Sequence, residues 1–191
     1  IKSISLTFVP AAADADVTVS GTIKAADVAT IKAAGGSGVL TANVQAAEAD
    51  QLNSSLTTGT SGDELNLVVN GQTALATDLN SLIAKTAGKI KLEATNVTGT
   101  FAQLEGVYVT NKAQYSGLGN ETITITGNPT AAQADTIADA TSGIVTASIT
   151  ADTAANLNAA LNDSGLQVNA YTFTVNNDSG ATLASDLKAL D

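Results

Sequence analysis

Apolar and polar residues alternate in short runs that recur along the chain. Thr122–Ile123–Thr124–Ile125–Thr126 and Tyr171–Thr172–Phe173–Thr174–Val175 have a period of two, which is the period of a strand with one face buried. Such runs open near Val17, Val39, Leu65, Ile90, Thr122, Ile144 and Val168, at successive separations of 22, 26, 25, 32, 22 and 24 residues. After each run the aliphatic spacing changes toward that of a helix. Val28 and Ile31 stand three apart within Ala25–Ala34, and Leu157 and Leu161 four apart within Ala151–Leu161. Thr22, Thr73, Asn128 and Asp152 occupy expected N-cap positions, with Pro129 as a first helical residue. Gly35–Gly36, Gly59, Gly88, Ser142–Gly143 and Ser164–Gly165 mark helix ends.

A longer repeat contains the short one. Val17–Gly21 matches Ile123–Gly127, Thr30–Ile31 matches Thr136–Ile137, and Gly38–Val44 matches Gly143–Ile149. Leu52, Asn53 and Leu56 then fall on Leu157, Asn158 and Leu161. The offset is 106 residues before a one-residue gap and 105 after it. Self-similarity at a fixed short period is the mark of stacked-repeat folds. A unit of 22–26 residues holds one strand, one short helix and two turns. Crossovers between parallel strands are nearly always right-handed. The expected fold is therefore α/β, a right-handed solenoid of strand–helix repeats with a parallel sheet and helices on one side.

Three stretches organise the chain on this reading. Residues 1–16 hold an N-terminal strand, Ile4–Phe8, and a linker. Residues 17–121 form a first block of four units, with an insertion near 107–119 that carries Tyr108 and Tyr115. Residues 122–191 form a second block of three. The missing fourth unit points to a longer array, or to a neighbouring chain that completes it. The absence of Met places Ile1 behind a processing site or inside a longer protein.

Composition narrows the chemistry. Apolar residues make up 44% of the 191, but aromatics only 3%, so the core is built of Ala, Val, Ile and Leu. All eight basic residues are lysines, and the formal net charge is −10. That balance argues against nucleic acid, whose phosphates require clustered cations, and no apolar run is long enough for membrane insertion. Without His or Cys, the usual serine triads, thiol chemistry and zinc sites are excluded, and the chain is expected not to be an enzyme. Acidic residues recur at equivalent helix positions (Asp27, Asp50, Asp78, Asp135), the pattern of a solvated face.

Two candidate sites remain. Turns with Asp63–Glu64, Asn162–Asp163 and Asn176–Asp178 offer oxygens suited to a hard cation, which makes Asp63, Glu64, Asp163 and Asp178 candidate calcium ligands. No other cofactor is expected. The second site is the polar row of the sheet: Thr18, Ser20, Thr41, Asn43, Thr122, Thr124, Thr126, Thr146 and Ser148. It suits a glycan or a neighbouring subunit. Lys91 and Glu93 interrupt it, which disfavours an ice-binding array.

Thr124–Gly127, Ala134–Ile137 and Ser142–Ala147 carry a resemblance that extends over most of the chain from Val17 onward. These repeats resemble those of very large secreted surface or adhesin-like proteins of marine and cyanobacterial origin. The resemblance implies an extracellular or cell-surface structural role as an adhesin stalk, surface layer or filament, and supplies no active site. The expected partner is the chain itself or neighbouring repeats. The alternatives are a glycan- or receptor-binding module using the threonine-rich face, and a phage or virion appendage protein.

Overall fold

A computed structural model describes residues 15–35, 37–161 and 168–176. The expected strand at Ile4–Phe8 lies outside them, as do the helix end at Ser164–Gly165 and the metal candidates Asp163 and Asp178. The chain is α/β with parallel sheets. In order it forms β1 (Val17–Ile23), α1 (Asp27–Gly35), β2 (Leu40–Val44), α2 (Ala49–Ser55), β3 (Glu64–Val69), β4 (Thr73–Leu75), α3 (Ala76–Ile83) and β5 (Ile90–Leu92). There follow β6 (Asn96–Thr100), α4 (Phe101–Glu105), β7 (Tyr115–Ser116), β8 (Thr122–Thr126), α5 (Ala131–Ala138), β9 (Val145–Ser148), β10 (Asp152–Thr153), α6 (Ala154–Leu161), β11 (Ala170–Thr172) and β12 (Val175–Asn176).

Two compact units result, the first drawn from residues up to Asn70, Asp78–Glu93 and Gln114–Ser116, and the second from the remainder. The sheet of the first has the order β1-β2-β3-β5-β7, all parallel. Its alternation buries Val19, Leu40, Ala42, Leu65, Leu67, Val69, Ile90 and Leu92. The helical stretches of this unit add Val28, Ile31, Leu52, Leu79 and Leu82. Each fully buried leucine stabilises by roughly 1.5–3 kcal/mol. Helices of seven to nine residues are too short to persist alone in water, so it is this burial that holds them.

The second unit carries a five-stranded sheet ordered β11-β9-β8-β6-β4 and the two-stranded pair β10-β12, again parallel. Val97, Ile123, Ile125, Val145 and Ala147 face its core together with Leu104, Ala134, Ile137 and Leu157. Gly99 stands among them where any side chain would collide, since a Cβ there would lie 2.7 Å from that of Ala76.

The alternation predicts one strand per repeat, but several repeats contain two. β3 is followed by β4, β5 by β6 and β9 by β10 before the next helix starts. The helix starts differ from the expected caps, at Thr73 and Asp152 because a second strand intervenes. Thr22 lies in β1, Thr73 in β4 and Asp152 in β10, while Asn128 and Pro129 precede the true cap of α5. That cap is Thr130, which accepts from Gln133 N while the Gln133 side chain accepts from Thr130 N. Thr100 and Gln103 repeat this reciprocal arrangement on α4. It satisfies two otherwise unpaired donors at each helix start. Residues 107–119 hold a π-helical turn over Gly106–Thr110, a short 3-10 turn and β7, which pairs with β5.

A corner device recurs before the strands. In Thr60–Ser61–Gly62, Thr86–Ala87–Gly88 and Thr141–Ser142–Gly143 the threonine hydroxyl accepts from the N–H of the glycine two residues on. Thr86 also accepts from Leu65 N at 2.8 Å, and its hydroxyl lies within donating distance of Asp63 O and Leu65 O. Thr141 donates to Glu121 O. Each of these two buried hydroxyls thus ties a corner to the backbone 20 to 23 residues earlier.

Candidate functional site

Two buried carboxylates stand beside strand starts. Asp63 is 1% exposed, and both of its oxygens accept from Lys32 Nζ, at 2.6 and 2.8 Å. It further accepts from Leu40 N, from Thr60 N and from the Thr60 hydroxyl. Burial alone pushes this carboxyl up; the Lys32 hydrogen bond, the two backbone donors and the Lys32 charge together outweigh burial and hold its pKa below the usual value. Glu64, its neighbour and fellow metal candidate, points the other way into solvent, where the Thr41 hydroxyl approaches it at 3.4 Å. Asp63 is thus committed to an internal ion pair, and Glu64 alone of the expected calcium ligands remains open among the described residues. No three His, Cys, Asp or Glu side chains gather there in a metal-holding group.

In the second unit Glu121 is buried, and its Oε2 accepts from the Tyr108 hydroxyl at 3.1 Å and from Gly119 N at 2.9 Å. Burial, with the Glu121 charge and this hydrogen bond added, holds the Tyr108 phenol far above its usual pKa. Tyr108, expected on an insertion, is therefore an interior anchor. Tyr108→Phe removes one donor to a buried charge and is expected to lower unfolding stability by about 2 kcal/mol, read by urea denaturation.

The polar row divides between the two units. Thr18, Ser20, Thr41 and Asn43 lie on β1 and β2 of the first. There they share the outward side of the sheet with Glu64, Asn66 and Lys91, and Asn66 donates to Asn43 at 3.0 Å. Lys91 pairs with Glu93 at 2.7 Å in the same unit, both exposed. This side is polar and charged.

Thr122, Thr124, Thr126, Thr146 and Ser148 lie on β8 and β9 of the second unit, and the structure adds members that the alternation leaves out. Thr73 and Leu75 of β4, Asn96, Thr98 and Thr100 of β6, and Ala170 and Thr172 of β11 alternate with inward residues and join the same outward side. Register places Thr98 beside Thr124 and Thr124 beside Thr146, Thr100 beside Thr126, and Ser148 beside Thr172. Thr73, Asn96 and Thr122 form another row, joined by side-chain hydrogen bonds from Asn96 to Thr73 and from Thr122 to Asn96. Of these twelve outward positions eight are threonine and none is charged. The missing signal was Thr98–Gly99–Thr100, where glycine replaces the expected inward aliphatic.

An open groove of about 340 Å³ in the first unit is lined by Lys24, Gln45, Gln51 and Ser55 with neighbouring alanines. It brings together amides and one ammonium but no acid–base pair. Among the described residues no helix is long and apolar enough to cross a membrane. Comparison with protein-family models, with curated proteins and with solved structures finds no match to this chain.

Proposed function

We propose that the chain is a non-catalytic structural repeat segment of an extracellular or cell-surface assembly, built as a right-handed α/β solenoid whose partner is itself or neighbouring repeats. The carrying observation is that every pairing in the two five-stranded sheets joins residues 21 to 26 apart, with 23 recurring most often. Thr41 pairs with Glu64, Leu67 with Ile90 and Thr73 with Asn96. Side-chain hydrogen bonds repeat the same separation: Val39 N to Asp16, Leu40 N to Asp63, Asn66 to Asn43, Thr95 to Gln72 O and Ser142 to Gly119 O. A chain in which each repeat contacts the one before it behaves as a one-dimensional stack. The handedness follows from the general rule for parallel crossovers. Extracellular placement rests on the resemblance to secreted surface repeats and on the cysteine-free, acidic composition.

The sheet ends favour assembly. Among the described residues β1 and β7 terminate one sheet, and β11 and β4 the other. An unpaired strand edge is a template for another strand. Negative-stain electron microscopy of the purified chain, with and without a calcium chelator, is expected to show regular filaments or sheets without added ligand. Loss of order on chelation would establish calcium as a component. Dispersed particles under every condition would overturn self-assembly and favour the second reading, a glycan-binding module. That reading draws on the uncharged threonine grid, and a glycan-array screen tests it.

A further inference from the structure

The outward side of the second unit's sheet is charge-free in a chain of net charge −10. It also collects exposed apolar groups. Four large aliphatic side chains stand exposed among the described residues: Leu75 at 48%, Val109 at 50%, Ile144 at 50% and Val168 at 85%. Three of them fall on this side. Leu75 is in register with Thr98. Ile144 precedes inward Val145, whose partner is Ile123, and so stands beside Thr122. Val168 lies two residues before Ala170, whose partner is Thr146, and so neighbours Ile144. Thr98, Thr122 and Thr124 occupy register positions between these aliphatics.

We propose that this threonine face is a self-docking surface on which a second copy of the chain packs sheet against sheet. This rests on the assembly reading and names its contact. Two arguments select a second copy as the occupant. Copies of −10 repel through any charged side, and this is the side where repulsion is smallest. In addition, a grid with a strand spacing of ~4.8 Å is commensurate with itself, so methyls of one copy seat between rows of the other at the ~10 Å distance of stacked sheets. Five strands at ~4.8 Å and about five residues at ~3.3 Å give a face of roughly 400 Å² per copy. That is below the ~800 Å² per partner of a stable interface, so a single pair associates weakly, with Kd on the order of 0.1–1 mM. Tandem copies would multiply this by avidity.

Sedimentation equilibrium of the chain from about 0.05 to 2 mM tests the proposal. The wild type is expected to shift toward dimer mass with concentration, and more so in high salt, which screens the like charges. Thr124→Lys with Thr146→Lys places two charges at the centre of the face and is expected to weaken association at least tenfold. Gln51→Lys with Ala132→Lys makes the same charge change on exposed helix positions and is expected to leave it within about twofold. Circular dichroism checks the fold of each variant. The chain has no cysteine, so Thr146→Cys supplies a gentler probe: oxidative dimerisation should be much faster than for Gln51→Cys. Wild-type association that the face lysines leave unchanged, or equal cross-linking rates, overturns this surface while self-assembly stands. A wild type that stays monomeric at every concentration and salt overturns both.

Discussion

Asp63→Ala lowers the unfolding free energy by about 3–5 kcal/mol, measured by urea denaturation followed in the far ultraviolet. The size follows from what is left behind. Lys32, only 17% exposed at its side chain, loses its partner, and Leu40 N and Thr60 N lose their acceptor. Removing one member of a buried pair costs more than the pair contributes, because the remaining charge stays desolvated. Lys32→Met also strands a buried charge, but Asp63 keeps the Thr60 hydroxyl and two backbone donors, so the loss is expected at the lower end of that range, about 3 kcal/mol. The pH dependence has a definite sign. The folded carboxyl titrates below its usual value, so its stabilisation is complete above the unfolded carboxyl's pKa of ~3.9 and is lost as pH falls through the lower folded value. The stability gap between wild type and Asp63→Ala should therefore narrow under strong acid. A constant gap down to pH 2 would refute the ion-pair account.

That pairing was not legible in the sequence. Lys32 and Asp63 are 31 residues apart, and the Asp63–Glu64 dipeptide presents itself as two acids in a turn. Only the tertiary packing that brings α1 and β2 against the start of β3 turns the first inward onto a lysine and leaves the second in solvent. The strands were legible because burial on one face imposes alternation. Expected starts at Val17, Ile90 and Thr122 coincide with β1, β5 and β8, and those at Val39, Leu65, Ile144 and Val168 lie within two residues of β2, β3, β9 and β11. β7, β10 and β12 are two residues each, too short to show a period of their own, whereas β4 and β6 are no shorter than the legible β5 and β8 and escaped for a different reason. β4 faces inward only with Ala74, and β6 with Val97 and then Gly99, so neither strand shows two successive inward aliphatics.

The long repeat identified equivalent backbone as well as equivalent sequence. Gly21 and Gly127, matched through Val17–Gly21 and Ile123–Gly127, both adopt positive φ, at 101° and 81°, a region glycine enters at little cost. Val28 and Ala134, Ile31 and Ile137, and Leu52 and Leu157 are all buried. The threonine face was half legible for a related reason. β8 and β9 announce it with unbroken Thr–Ile–Thr–Ile–Thr and Val–Thr–Ala–Ser alternation, whereas the register that adds Thr98 and Thr100 is a tertiary fact. The same register moves Lys91 and Glu93 to the sheet of the first unit, so the charges that break the row in sequence do not break it on the second sheet.

Gly143→Ala is expected to destabilise the second unit by about 3 kcal/mol or more, at the upper end of what overpacking costs. A Cβ there would lie 2.0 Å from Glu121 O and 2.5 Å from Glu121 C. Both are backbone atoms just before β8, the strand that pairs with β9, and cannot swing aside as a side chain would. Gly38 and Gly88 stand in the same relation to Ala15 O at 2.2 Å and Leu65 O at 2.4 Å, each two residues before its strand. This recurrence makes the close approach a property of the spacing between paired parallel strands. Gly62 occupies the same Thr-x-Gly corner, yet a Cβ there would meet only the Thr60 hydroxyl at 3.6 Å. Gly62→Ala should therefore change stability by less than about 1 kcal/mol. Thermal and urea unfolding of Gly143→Ala and Gly62→Ala side by side separate two accounts of the motif. If glycine serves mainly to shape the turn, both variants lose similar stability. If it is there to let one backbone lie against the next, only Gly143→Ala does, and the close approach of neighbouring strands itself selects glycine at that corner.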